Sequence, residues 1–154
     1  TNVANAGVVT AVFPATTATL PAGYVQTGTS SGSGSIGSSP GWGLAGGGTL
    51  IWSKNNSTVA SPGYANYAAA NAACVAMNTS HALGYNSGWR LPTQQELSGL
   101  HNAGTSALST AGWELDGTWS STDDGAGDHY GVYLRSGNVF NDYDSHIYYV
   151  SCVH

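Results

Sequence analysis

Two cysteines constrain this chain more than any other feature of its sequence. Cys74 and Cys152 are its whole cysteine content, and Lys and Arg together number three. An even cysteine count in a chain so poor in charge favours one disulfide over two buried thiols, because disulfides persist mainly outside the cytoplasm. A bridge closing a loop of about 78 residues removes roughly 4–5 kcal/mol of chain entropy from the unfolded state. We therefore expect Cys74 and Cys152 to be joined.

The composition indicates an extracellular location. Charged residues make up 7% of the 154 residues, whereas typical soluble domains carry about a quarter. The net charge of −5 comes without any basic run, which argues against a nucleic-acid partner because phosphate binding needs clustered Lys and Arg. No apolar run approaches the roughly 20 residues of a membrane span, and no signal peptide opens the chain. We expect a fragment of a longer exported protein, without direct membrane insertion and with its export signal upstream of Thr1.

The N-terminal part of the chain differs in composition from the rest. Residues 8–13 are apolar and largely β-branched, which predicts a strand that Pro14 ends. Residues 27–48 are almost entirely Gly, Ser and Thr, which is typical of a flexible loop or linker. Residues 1–48 are therefore either part of the same domain or the end of a preceding module. Residues 49–154 are predicted to form one domain.

A short strand over residues 49–53 and a first helix from Tyr64 onward are predicted next. The helical segment is rich in alanine, which has high helix propensity. Six positions recur within it at helical spacing, and this spacing predicts that Cys74 lies on the inner face. The recurring positions are Tyr67, Ala68, Asn71, Cys74, Val75 and Asn78.

A second helix is predicted from the run Thr93-Gln94-Gln95-Glu96, which fits a capping box. Leu97 and Leu100 supply its buried stripe, and the region of Gly104 ends it. Strands follow over residues 119–121, 130–135 and 147–153, separated by turns rich in Gly and Asp. Two helices followed by a set of antiparallel strands form an α+β layout.

Several short motifs within residues 49–154 match the pattern of a known family. The most specific is Gly88-Trp89-Arg90-Leu91-Pro92-Thr93, with Glu96-Leu97 downstream. The others are Leu50-Ile51-Trp52-Ser53-Lys54, residues 70–74, Trp119-Ser120-Ser121-Thr122, Val132-Tyr133-Leu134 with Gly137, and Tyr149-Val150-Ser151-Cys152-Val153. On these motifs the chain resembles the family whose best-known member is the C-terminal domain of the Legionella collagen-like adhesin. Related lectin-like domains lie at the tips of intimin- and invasin-type adhesins.

The resemblance implies an α+β, C-type-lectin-like fold, with two helices packed on antiparallel sheets and one disulfide. In this family the helix cysteine pairs with the cysteine near the C-terminus, which agrees with the bridge expected between Cys74 and Cys152. Sugar binding does not follow from the fold alone, because one fold hosts many functions.

Arg90 and Glu96 are each open to a structural and a functional interpretation. Arg90 either binds a ligand or holds the turn before the second helix by contacting carbonyls or a carboxylate. Glu96 is either a general acid or base or the second member of the capping box. The structural interpretation is favoured for both residues.

The acidic run over residues 123–128 is the one local cluster that suggests Ca²⁺, which prefers six to eight oxygen ligands. Its spacing is not that of an EF-hand loop, and the Trp-Asn-Asp and Glu-Pro-Asn motifs of sugar-binding lectins are absent. A solvated acidic turn is therefore favoured over a calcium site. The five histidines show no close pairing, and neither a Gly-x-Ser-x-Gly elbow nor a phosphate loop is present. No catalytic residue, metal ligand or cofactor is predicted.

Tyrosines, amides and carboxylates are concentrated in the turns of the C-terminal half, and this mixture is typical of a recognition surface. We expect Tyr133 and Tyr149 to pack inside the sheet and the loop over residues 138–146 to lie outside. The predicted ligand-binding residues are Asp123, Asp124, Asp128, His129, Tyr130, Asn138, Asn141, Asp142, Tyr143, Asp144 and His146.

The favoured function is that of a receptor-binding tip domain of a bacterial cell-surface adhesin, acting in host–pathogen interaction and virulence. Its expected partners are a host surface protein or glycan, bound without calcium, and upstream repeat domains of the same chain. The expected location is the bacterial surface, on an outer-membrane-anchored or secreted protein. One alternative is an enzyme of the formylglycine-generating type, which needs cysteines or a metal in its active site. Another is a purely structural cap of a surface fibre.

Overall fold

A computed structural model describes residues 22–27, 50–55, 63–102 and 104–154 of the chain. The predicted strand over residues 8–13 lies outside these ranges, as does all but the first residue of the linker predicted over residues 27–48. The described helices and strands, in chain order, are β1 (Tyr24–Thr27), β2 (Leu50–Ser53), β3 (Gly63–Ala65), α1 (Tyr67–Thr79), α2 (Gln94–His101), α3 (Thr105–Thr110), β4 (Gly117–Asp123), β5 (His129–Tyr133), β6 (Val139–Asp142) and β7 (Tyr148–Val150), with a single 3₁₀ turn at Ala82–Gly84.

The strands form two sheets. Five of them lie in the order β3-β7-β4-β5-β6, and β1 pairs with β2 in a separate ribbon. Neighbours in the larger sheet are antiparallel except β4 and β7, which run parallel through the pair Thr118 and Tyr149. The α+β class is confirmed, and the arrangement is consistent with a C-type-lectin-like fold. Because β1 precedes residue 49 yet pairs with β2, part of residues 1–48 contacts this fold; the domain boundary itself stays a prediction.

Helix α1 is capped by Asn66, whose side chain accepts a hydrogen bond of 2.9 Å from the Ala69 amide. The helix begins three residues later than its predicted start, because Tyr64 belongs to β3. The predicted inner position of Cys74 is confirmed, and Ala70 is buried one turn before it. Three other positions of the predicted stripe are wrong, because the face defined by Ala70 and Cys74 turns them to solvent: Ala68, Asn71 and Val75.

Helix α2 begins with the predicted capping box. The Thr93 hydroxyl accepts from the Glu96 amide at 3.2 Å, and the Glu96 carboxylate accepts from the Thr93 amide at 2.8 Å. Arg90 donates through both terminal nitrogens to the same carboxylate, each at 2.8 Å. Burial raises the pKa of Glu96, but hydrogen bonds from Arg90 and Thr93 outweigh it and hold this pKa below its usual value. These are the contacts that the structural interpretation of Arg90 and Glu96 predicts.

A third helix, α3, follows α2 and was not predicted. Helix α2 ends at His101, and Gly104, with φ of 100°, starts α3 rather than only closing α2. Helix α3 has six residues and buries only Leu108, so its sequence carries no apolar stripe from which a helix could be predicted.

Within the described residues, the buried side chains form two clusters. One joins β2, β5, α2 and α3, and its buried members are Trp52, Leu97, Leu100, Leu108, Trp113, Val132, Leu134 and Val153. The other lies between α1 and the large sheet, and its buried members are Ala70, Cys74, Trp89, Leu91, Trp119, Val150 and Cys152. The two tyrosines predicted to lie inside are only half-buried, because each packs on an aromatic ring at the sheet surface: Tyr133 on Phe140 and Tyr149 on Tyr64.

The predicted disulfide between Cys74 and Cys152 is present, with the two Cα atoms 5.3 Å apart. It ties the middle of α1 to the segment that follows β7. Both cysteines are fully buried within the second cluster.

We expect replacement of both cysteines by alanine to lower the free energy of unfolding by about 2–5 kcal/mol, because the long loop regains its entropy when the chain unfolds. Urea denaturation at pH 7, followed by tryptophan fluorescence, measures the change. Ala73→Ser, a small substitution beside the bridge, is the control and should leave the unfolding midpoint nearly unchanged. Equal midpoints for the double variant and the oxidised parent would contradict the expectation.

Candidate functional site

The acidic run forms the turn between β4 and β5. The Asp124 amide donates to the Asp128 carbonyl at 2.9 Å, and one oxygen of the Asp124 side chain accepts from the amides of Ala126 and Asp128. Gly125 and Gly127 have φ of 84° and 104°, a conformation that residues with a Cβ rarely adopt. Several residues of this segment therefore stabilise the conformation of the turn.

The predicted loop over residues 138–146 is only partly a loop, because its first half forms β6. This strand pairs with β5 in an unbroken antiparallel register from Val132↔Val139 to His129↔Asp142. Phe140 lies across Gly131, where a Cβ atom would stand 2.3 Å from the ring. Glycine at position 131 therefore gives the Phe140 ring the space it occupies over the sheet.

The turn after β6 is held by the Asp142 carboxylate. Its oxygens accept from the Tyr143 amide at 2.9 Å, from His146 Nδ1 at 2.8 Å and from the Tyr148 hydroxyl. The Tyr143 carbonyl accepts from the His146 amide at 2.8 Å. The Tyr143 side chain takes little part in this network and is 66% exposed.

Two side-chain contacts connect the two turns. Asn141 Nδ2 donates to the second oxygen of the Asp124 carboxylate at 3.0 Å, and the Asp144 amide donates to Asp128 Oδ1 at 3.0 Å. The structure therefore brings together the two segments that the sequence analysis singled out separately. Between them lies a cleft of about 330 Å³, lined by Asp124, Ala126, Asp128, Asn141, Asp142 and Tyr143.

Five of the predicted binding residues line this cleft, and six do not. His129 lies behind it, stacked on Tyr67 with ring centroids 3.4 Å apart and with its Nδ1 2.9 Å from the Asp144 carboxylate. The others outside the cleft lining are Asp123, Tyr130, Asn138, Asp144 and His146. Ala126 was missed, although its place inside the acidic run could have indicated it.

The cleft is electronegative. Hydrogen bonds from Asn141 and from the Ala126 amide hold the pKa of Asp124 below its ordinary value of 3.8. Hydrogen bonds from His146 and Tyr148 likewise lower the pKa of Asp142. The lining contains three carboxylates and no Lys or Arg. Chemically, such a site offers ionised acceptors, one amide and one exposed phenol ring for non-covalent contacts.

Two further findings concern the described part of the chain. Within it, no group of three or more His, Cys, Asp or Glu side chains is arranged to hold a metal ion. None of its helices has the length and apolar character needed to span a membrane.

A family model described as the Lcl C-terminal domain matches residues 47–154. A search of curated proteins found no match to the chain.

We expect Asn141→Ala to raise the pKa of Asp124 toward 3.8, because Asn141 is the main group that stabilises the ionised form. A lowered pKa stabilises the fold at pH values above the unfolded value, and this contribution is lost as the pH falls from about 3.9 through the folded value. Carboxyl carbon chemical shifts followed by NMR between pH 2 and 6 measure the pKa. Asn138→Ala removes an exposed amide side chain just before the other end of β6, and it should leave the pKa of Asp124 unchanged. An unchanged pKa of Asp124 in Asn141→Ala would contradict the assigned cause.

Proposed function

This chain belongs to the Lcl C-terminal domain family, and from that premise we propose that it is the receptor-binding tip domain of a bacterial surface adhesin. In this proposal the domain binds a host surface protein or glycan without covalent chemistry and without calcium. It acts outside the cell, as part of an outer-membrane-anchored or secreted protein whose upstream repeat domains carry it away from the surface. Membership of the family is consistent with a surface adhesin-like domain.

The observation that carries the proposal is the cleft between the two turns. Its lining combines carboxylates, an amide and the exposed ring of Tyr143. Tyrosine is one of the residue types that most often carry the binding energy of an interface, once the partner covers it and removes it from water. Because the backbone amides of the two turns are bonded to Asp124, Asp128 and Asp142, the cleft exists before a ligand arrives, and little ordering entropy opposes binding.

The two alternatives have less support. An enzyme of the formylglycine-generating type needs reactive cysteines or a metal, whereas Cys74 and Cys152 form a buried disulfide. A purely structural cap gives no reason for an open cleft with an exposed tyrosine. A binding role accounts for both features, so we favour it over an enzyme or a cap.

We expect Tyr143→Ala to weaken binding by about 1–3 kcal/mol, a loss of roughly 5- to 150-fold in affinity, and to leave the melting temperature nearly unchanged. Tyr143 is 66% exposed and lies outside both core clusters. Binding of the labelled domain to cultured host epithelial cells, with a glycan array in parallel, measures the loss.

Two controls separate binding from stability. Tyr85→Ala removes another exposed tyrosine, which stacks on His154 away from the cleft lining, and should leave cell binding intact. Trp89→Ala should do the reverse of Tyr143→Ala, costing about 3–5 kcal/mol of stability through loss of a buried aromatic. If Tyr143→Ala unfolds the domain while the folded fraction binds normally, the loop is structural and the proposed site is wrong.

We expect neither EGTA nor millimolar Ca²⁺ to change the melting temperature or cell binding. Ca²⁺ needs six to eight oxygen ligands, whereas the described residues contain no group of three or more His, Cys, Asp or Glu side chains arranged to hold a metal ion. Differential scanning calorimetry with and without about 5 mM CaCl₂ tests this expectation. That concentration is sufficient to fill calcium sites of the affinity found in extracellular modules. A rise of many degrees would contradict the expectation, because a ligand of the native state stabilises it.

A further inference from the structure

Among the described strands, β6 is an edge of the five-stranded sheet, since it pairs with β5 on one side and ends the strand order on the other. Natural proteins usually protect such edges with Lys, Pro, a bulge or a covering segment. The sequence of β6 is Val-Phe-Asn-Asp, and its register with β5 is regular. Val139 and Asn141 are exposed and uncharged, so among the described residues this edge carries neither Lys, Pro nor a bulge, and its protection is limited to its length of four residues and the Asp142 carboxylate.

The register identifies which backbone groups face outward. The Tyr133 amide donates to the Asn138 carbonyl at 2.9 Å, so these two residues form a hydrogen-bonded pair. Hydrogen-bonded and non-hydrogen-bonded pairs alternate along an antiparallel ladder. Phe140 and Asp142 therefore bond to β5, whereas the N–H and C=O groups of Val139 and Asn141 point away from it. No hydrogen bond to these four groups occurs within the described residues.

The acidic cleft lies at the end of this same edge. Asn141 and Asp142 close β6, and they line the cleft together with Asp128. Within the described part of the chain, one oxygen of Asp128 accepts from the Asp144 amide and its second oxygen has no hydrogen-bond partner. By register Asp128 continues β5 opposite the residue that follows Asp142, so a long side chain of a strand laid along β6 would have to reach across the end of β6 to meet this carboxylate. There a Lys or Arg finds charge complementarity and an anionic group is repelled.

We propose that β6 docks an extended segment of the receptor protein by strand addition, with a basic side chain of that segment held in the cleft by Asp128. This inference rests on the proposed function and deepens it, because it selects a basic protein segment over a glycan. Main-chain bonds to Val139 and Asn141 supply affinity, and the carboxylates supply selectivity. The exposed ring of Tyr143 beside the cleft gives the cation a second contact.

The first test uses a capped eight-residue peptide of alternating Thr and Lys, titrated into the isotopically labelled 154-residue chain and followed by NMR. A matched peptide of alternating Thr and Glu is the charge control. We expect the Lys peptide to bind and to slow hydrogen exchange at the Val139 and Asn141 amides by at least tenfold, while the Glu peptide shows no saturable binding. Equal binding of the two peptides, or unchanged exchange at both amides in the saturated complex, would overturn the proposal.

Variants test the edge and the charge separately. Val139→Pro removes an outward N–H without removing a bond to β5, a position where an edge strand tolerates proline. We expect it to weaken Lys-peptide binding at least tenfold, whereas Val139→Thr, which keeps the N–H, changes it less than twofold. Asp128→Asn should weaken binding about fivefold, and Asp116→Asn, an equal loss of charge at the opposite end of β4, should have no effect. If Val139→Pro binds like Val139→Thr, strand addition is wrong; the exchange measurement decides the question if Val139→Pro does not fold.

Cell binding distinguishes this inference from the function on which it rests. We expect Val139→Pro to lose binding to host epithelial cells that Val139→Thr retains. Equal cell binding by these two variants would overturn strand addition and leave the adhesin proposal standing. Absence of cell binding by the unmodified domain would overturn the adhesin proposal itself.

Discussion

The last four residues of the chain connect nearly every part of the fold. Cys152 is bonded covalently to α1, and its carbonyl and amide bond to the Ser53 backbone and hydroxyl at 2.9 and 2.7 Å. Val153 exchanges two backbone hydrogen bonds with Arg90, and His154 exchanges two with Ile51. This segment closes the core. It also pairs the buried hydroxyl groups of Ser53 and Ser151, which would be costly if they had no hydrogen-bond partner.

Helix α1 connects the C-terminal segment to the cleft. Its middle is fixed by the disulfide, and its first residue donates to the Asp144 carbonyl at 3.1 Å through the Tyr67 amide. The Tyr67 ring stacks on His129, which in turn contacts the Asp144 carboxylate. The turn that carries Tyr143 is therefore supported from behind by a helix that the core holds in place, while its own shape depends on local bonds to Asp142. Such a division lets the exposed face vary in sequence with little cost to the core.

The features predicted from the sequence were those that leave a local signature. The capping box is predicted from two residues three positions apart, and the motif around Trp89 is specific by itself. The disulfide is predicted from the presence of two cysteines in a charge-poor chain. The sequence predicts a loop where β6 lies, because Asn141 and Asp142 favour turns and an edge strand has no continuous apolar face to indicate it. The cleft depends on contacts such as Asn141 to Asp124, between residues 17 positions apart; composition identified both segments but could not show that they meet.

The charge of the chain acts mainly at short range. Of its three cations, Lys54 bonds to the Ala111 carbonyl and Arg90 to Glu96, while the cleft contains three carboxylates. Exposed charges are screened beyond about 8 Å at physiological ionic strength, and a surface of hydroxyls and amides adds little field of its own. The carboxylates of the cleft therefore steer a distant ligand weakly. Their effect is confined to contact distance, where an anionic group would meet three negative charges with no cation in the lining to offset them.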